Sequence, residues 1–235
     1  SDVIGDKLLT TVIISSVAIF LSIIIAVPVG VMVAWRRRSL IDYSLSFVNF
    51  IGLATPDFLV CIIVLWLLYS WFGVSEMSLF SETYENAPWS LAKALDLMEH
   101  MWIPVFIIAL NHTSSIIRVI RANLLDEMRK PYVLTAKAKG LSEWRVLIRY
   151  PLRVALVPVV ATLGWSLPQI FSGATIVAVV LNLPTTGPIL LRALMSQDMY
   201  LAGSLVFLLG ISTVVGTILS DVLLRMVDPR IRVRT

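Results

Sequence analysis

The run Arg129–Arg153, RKPYVLTAKAKGLSEWRVLIRYPLR, is strongly basic, and apolar runs long enough to cross a bilayer lie on both sides of it. A loop of this charge faces the cytoplasm. Within it, Pro131 ends the helix before it, Leu134–Ala138 form a short helical turn, and Gly140 stands as a C′ residue suited to a left-handed conformation. Ser142 then caps a second short helix, with Glu143 in its first turn and Arg149 at its far end. The expected product is a bent pair of small helices at the membrane surface. Its small side, Ala136, Ala138 and Gly140, suits docking into a groove on a soluble partner.

Outward from this loop the chain is dominated by apolar runs. Of its 235 residues 58% are hydrophobic and only 14% charged, whereas ordinary globular chains carry about 25% charged residues. Such a chain belongs in a membrane, and the fold class expected is an all-α integral membrane protein. A single transmembrane domain with five spans is predicted, at about 8–34, 45–72, 102–120, 154–180 and 201–224. Pro28-Val29-Gly30 bends the first span or marks its exit, and Pro104 is tolerated in the first turn of the third. Pro158, Gly164, Pro168 and Gly173 predict a kinked fourth helix. The segment 73–101 is acidic and reads as an external loop, with Ser90–His100 helical along the surface. Pro184–Pro188 precede a short helix over Ile189–Met195.

Charge placement orients the spans. With the central loop inside, the only Lys and Arg left outside are Lys7, Lys93 and Arg192, out of 19; the reverse topology inverts that ratio. The N-terminus is therefore expected outside and the C-terminus, with Arg225, Arg230, Arg232 and Arg234, in the cytoplasm. The net charge of +4 is accounted for by this topology, so the bilayer and not nucleic acid is the expected partner.

Several chemistries are disfavoured. No Gly-Lys-Ser/Thr occurs, so the chain has no Walker A loop for ATP. Ser90-Leu91-Ala92-Lys93 fits Ser-x-x-Lys without the companion motifs of that enzyme class. Asn111-His112-Thr113 is a glycosylation sequon inside an expected span. Two histidines are too few for a His-rich metal site, and no metal is expected; one cysteine, Cys61, permits no internal disulfide. The candidates for chemistry at membrane depth are Asp57, Asn111 and His112, since ionisable groups there face a cavity or a partner. They either line a water-filled path or hold helices together by hydrogen bonds. Pro168 and Gly173 either form a gate hinge or let helices pack closely.

The ordered run Leu134-Thr135-Ala136, three residues, then Gly140 resembles the EAA loop of the membrane subunits of bacterial ATP-binding cassette importers. The version TAKAKGL is similar to that of the dipeptide/oligopeptide permease branch. The likeness extends from about Leu8 to the end and includes Arg118, Arg121, Leu152-Arg153, Pro158, Ser172-Gly173 and Asp228-Pro229-Arg230-Ile231. Leu134 stands where the general motif has Glu, Tyr150 where this branch often has His, and Val154 where it often has Asn. The resemblance implies a non-catalytic permease subunit of the bacterial inner membrane whose loop, Thr135, Ala136, Lys137, Ala138, Lys139, Gly140, Leu141, Ser142 and Glu143, docks on an ATPase. It further implies a homologous second permease subunit, two cytoplasmic ATPases that hold ATP and Mg2+, and an extracytoplasmic substrate-binding protein. Relatives usually carry one more N-terminal span. The substrate class implied is di- or oligopeptides, with glutathione, nickel complexes or oligosaccharides as alternatives handled by the same machinery. An ATP-independent carrier or channel using Asp57 and His112 is the competing reading.

Overall fold

In the computed structural model the described backbone comprises residues 2–73, 77–85 and 87–227; side chains are described there except at 2–4, 162–174, 223–224 and 226–227. Every regular element among them is a helix. In chain order these are α1 (Asp2–Trp35), α2 (Leu40–Ala54), α3 (Asp57–Phe72), α4 (Leu91–His100), α5 (Trp102–Glu127), α6 (Pro131–Ala138), α7 (Glu143–Arg149), α8 (Pro151–Val180), α9 (Thr186–Met195) and α10 (Met199–Val227). Three of them, α1, α5 and α10, are long and apolar enough to cross a membrane among the described residues, and α2 with α3 makes a fourth if counted as one broken span. The 30-residue α8 carries undescribed side chains through its middle, and the count of five spans is not reached on the described residues alone.

Two local expectations are corrected. The apolar run 45–72 is not one helix: α2 stops at Ala54 and α3 begins at Asp57. Pro56 is extended, with φ −62° and ψ 143°, and a residue preceding proline is biased away from helical backbone, which takes Thr55 out of the helix. Conversely, Pro28 does not end the helix, because α1 continues to Trp35. Gly30 has a packing role instead: a Cβ there would lie 2.9 Å from the Ile120 Cβ of α5, so only glycine admits this approach.

The chain divides into two compact units. One comprises residues 1–21, 55–111 and 168–213, and its core gathers Ile14, Ala18, Cys61, Leu79, Leu97, Ile107 and Val177. In this unit α9 begins at Thr186, three residues before the expected start. The Thr185 side chain makes no cap; the Thr11 hydroxyl of α1 accepts from the Thr186 N–H at 3.0 Å and supplies the missing partner. The other comprises 22–54, 112–167 and 214–235, with a core of Ala26, Ile116, Ile120, Leu124, Leu147, Ala155 and Val159. Large apolar side chains remain uncovered, Trp66, Trp71, Phe72 and Phe207 among them, as expected of surfaces whose solvent is lipid.

Candidate functional site

The central loop folds as an elbow. Pro131 is not merely a stop for α5, which already ends at Glu127; it opens α6 in the first helical turn, where its missing N–H costs nothing. The Tyr132 hydroxyl donates to the Glu127 carboxylate and ties the two helix ends together. Beyond α6, Gly140 takes φ +77°, the left-handed conformation expected at that position. Ser142 occupies the N-cap position of α7, but its hydroxyl makes no capping bond. A Lys137–Glu143 pair at 3.7 Å closes the outside of the bend; both side chains are well exposed, so it adds little stability.

Packing fixes the elbow from within. Val133, Ala136 and Val146 form a small buried cluster flanked by Leu141 and Tyr150. Ala136 therefore belongs to the inside of the bend and is not part of an outward small face. Leu147 of α7 joins the core of its unit, and Trp144 stacks on Trp35 at the end of α1 with ring centroids 5.1 Å apart. Thr135, Lys137, Ala138, Lys139, Gly140, Ser142 and Glu143 remain exposed, and Leu141 partly so. Leu134, where the motif has Glu, is 60% exposed. The result is a surface element anchored at one side and open at the other.

The same unit also holds an ion pair that sequence reasoning missed. Asp42, 3% exposed in the first turn of α2, accepts from Arg121 Nε and Nη2, both at 3.2 Å, from the Arg38 N–H at 2.9 Å and from the Ser46 hydroxyl at 3.2 Å. Arg38 reaches this geometry with φ 62°. Asn49 of α2 also donates to the Ser114 carbonyl of α5 at 3.1 Å. Nothing in local periodicity signals these contacts; an acidic residue four positions after Arg38, the last of three arginines, and ahead of an apolar run was the available hint.

The intramembrane candidates separate. Asn111 Nδ2 donates to Asp57 Oδ1 at 3.4 Å, joining α5 to the first turn of α3. His112 falls in the other unit and its Nε2 is buried with no hydrogen-bond partner among the described residues. Pro168 and Gly173 lie within α8 but outside the residues whose side chains are described, as do Ser172 and Gly164; Asp228–Ile231 lie beyond the described backbone. No group of three or more His, Cys, Asp or Glu side chains among the described residues is placed to hold a metal.

Residues 77–85 and 87–101 make specific bonds that a bare connecting loop would lack. Ser90 caps α4 by accepting from the Lys93 N–H at 3.2 Å. Asp96 of α4 accepts from the Ser81 hydroxyl at 2.7 Å and the Ser81 N–H at 2.9 Å. Burial pushes the Asp96 carboxyl up, but the two Ser81 bonds and nearby His100 outweigh it and hold the group below its ordinary value. Lys93, counted among the cations on the external side, is 4% exposed.

Residues 26–233 match the family described as "Binding-protein-dependent transport system inner membrane component". The oligopeptide transport system permease protein AppB of Bacillus subtilis (strain 168) is 31% identical over 98% of this chain and 72% of its own length. The oligopeptide transport system permease protein OppB of Haemophilus influenzae (strain ATCC 51907 / DSM 11121 / KW20 / Rd) is 26% identical over 99% of this chain and 72% of its own. Among solved structures, a chain of the MetNI methionine ABC transporter in an inward-facing conformation superposes with a TM-score of 0.73 at 16% identity, covering 96% of each chain, which establishes the likeness of fold. By the extent of the family match and the identity to relatives, this chain belongs to the inner-membrane components of binding-protein-dependent transport systems.

Proposed function

We propose that this chain lines the translocation path of an ATP-driven importer for di- or oligopeptides and receives force from cytoplasmic ATPases through the α6–α7 elbow. The peptide assignment draws on the relatives described as oligopeptide or peptide permease proteins. The observation that carries the coupling role is the elbow: its inner side is packed through Val133, Ala136, Val146 and Leu147, while its outer side is open. A lever needs both properties. Thr135 and Lys137–Glu143 supply the docking surface, and Ala136 supports it from beneath.

In this reading ATP and Mg2+ are held by two partner ATPases, and a homologous second permease subunit completes the path. An extracytoplasmic binding protein delivers substrate. The chain's N-terminus faces outside and its C-terminus the cytoplasm, in keeping with the distribution of Lys and Arg. ATP shifts the outward and inward states only by as much as its affinity differs between them, and the continuity of the elbow with α5 and α8 carries that difference into the spans. Asp57 with Asn111, and separately His112, are the path candidates; Pro168 and Gly173 of α8 are the hinge candidates.

Peptide uptake tests this with Gly140→Pro. Position 140 needs φ +77° and proline fixes φ near −65°, so the bend is lost although a Cβ there meets nothing within 4 Å. Uptake should fall by roughly tenfold or more and the ATPases should no longer co-purify, the cost of a misplaced proline being about 3 kcal/mol. Undiminished uptake with retained ATPase binding refutes elbow docking. Uptake that persists after the ATPase genes are deleted makes the protein a carrier.

A further inference from the structure

The same unit that holds α4 contains two adjoining cavities. One, of about 250 Å³, is lined by Asp6, Lys7, Phe80, Glu85, Trp89 and Lys93, with Thr10, Ala87 and Pro184 completing the wall. The other, of about 520 Å³, is lined by Glu82 and Glu85 together with Leu65, Met77, Asn182 and neighbouring residues. They share Phe80, Glu85 and Pro184, so together they make one groove of the size small ligands occupy.

The first cavity contains a buried cation whose donors are only partly matched by acceptors. Lys93 Nζ donates to the Ala87 carbonyl at 2.6 Å and, at 3.5 Å, to the Glu85 carbonyl, and it lies 4.9 Å from the Phe80 ring centroid and 5.5 Å from that of Trp89. An ammonium has three protons, and among the described residues no carboxylate stands within ion-pair distance of this one. A buried cation of that kind is costly unless an anion completes it. The Trp89 indole N–H is also buried without a partner among the described residues. Lys7 brings a second cation to the same wall. Asp6 and Glu85 share the cavity and offset the charge of Lys7 and Lys93, so its wall has no net charge to favour a simple anion. A zwitterion satisfies both sets: its carboxylate meets Lys93, Lys7 and the indole N–H, and its ammonium meets the glutamates of the second cavity.

We propose that these adjoining cavities form a subsite for a small peptide with both termini free, its carboxylate taken by Lys93, Lys7 and Trp89 and its ammonium by Glu82 and Glu85. This rests on the importer reading, whose orientation places the groove on the external side. The permease would thus recognise the two charged ends of its cargo and not only provide a path for it.

The test uses the assembled permease–ATPase complex in lipid nanodiscs and titrates alanyl-alanine, its C-terminal amide and its N-acetyl derivative by calorimetry. The free dipeptide should bind, and each blocked form should bind at least roughly tenfold more weakly, since each loses charge-assisted hydrogen bonds. Trp89→Phe keeps the aromatic wall and removes only the N–H donor. It should weaken the free dipeptide several-fold and leave the weak binding of the amide unchanged, with gel filtration confirming assembly. Absence of dipeptide binding, equal binding of all three compounds, or a Trp89→Phe effect seen only when the binding protein is present overturns the proposal; the last places a protein loop in the groove. An effect of the carboxyl block without one of the acetyl block removes the role of Glu82 and Glu85. If uptake stays ATP-driven while the blocked peptides bind as well as the free one, this subsite falls and the importer reading stands. If uptake needs no ATP, the importer reading falls.

Discussion

At the level of single residues, the most consequential contact joins positions 79 apart in sequence: the Asp42–Arg121 pair. The asymmetry of burial decides what breaking it costs. Asp42 has a side chain only 4% exposed and four donors, two of them from Arg121, while the Arg121 side chain is 38% exposed and keeps access to water. Arg121→Gln strands a buried carboxylate with only the Arg38 N–H and Ser46 hydroxyl, and should destabilise by about 2 kcal/mol. Asp42→Asn frees a cation that solvent can take up and should cost about half as much, ~1 kcal/mol. The double variant should be less destabilised than the sum of the two. Thermal stability of the purified protein in one detergent measures all three; an Arg121→Gln loss no larger than that of Asp42→Asn contradicts the argument. Sequence alone gave Arg121 as a flank of the loop and did not give its partner, because pairing across helices leaves no trace in the period of either helix.

Among the elements, α4 is tied to the preceding segment at Ser81 by one carboxylate. Asp96 accepts both the side-chain and main-chain donors of Ser81, and its carboxyl is held below the ordinary 3.8 because those bonds outweigh burial. A group depressed on folding contributes stability that is complete above its unfolded value and lost as pH falls through the folded one. The 77–100 segment should therefore resist pepsin at pH 5 and become susceptible below roughly pH 4. Asp96→Asn, which keeps one acceptor, should be cut at pH 5 already, and the ratio of wild-type to variant cleavage rates cancels the protease's own pH dependence. A ratio that does not change with pH removes the clamp. Legibility differed among the elements for physical reasons. The helix from about Ser90 could be read from local sequence, and so could the left-handed Gly140, whereas Ser142, read as a cap, makes no capping bond. The break between α2 and α3 was hidden because an unbroken apolar run is compatible with one helix or two, and Pro56 was the only mark of it. The inward turn of Ala136 was hidden because a small residue signals close approach without saying on which side.

For the whole molecule, composition alone excluded a water-soluble fold, and the ordered loop motif placed the chain in a transporter family; neither specifies which charged groups end up enclosed. Lys93 shows why. Counted as an external charge, it supports the topology, yet its burial against Phe80 and Trp89 depends on a fold that brings residues 80, 87 and 89 around it. The orientation on which that location depends is open to a clean measurement, because Cys61 is the only cysteine and is fully buried. Cysteine-directed labelling thus starts from a silent background. Leu91→Cys, at the exposed start of α4, should react with a membrane-impermeant maleimide in intact spheroplasts. Ala138→Cys, at the exposed end of α6, should react only after permeabilisation, and should become protected when the ATPases are bound. The opposite labelling pattern inverts the topology and moves the elbow away from any cytoplasmic motor. Correct sidedness without protection by the ATPases keeps the topology and removes Ala138 from the docking surface, leaving exposed side chains such as Leu134, Trp144 and Ile148 as the apolar contacts the elbow has to offer.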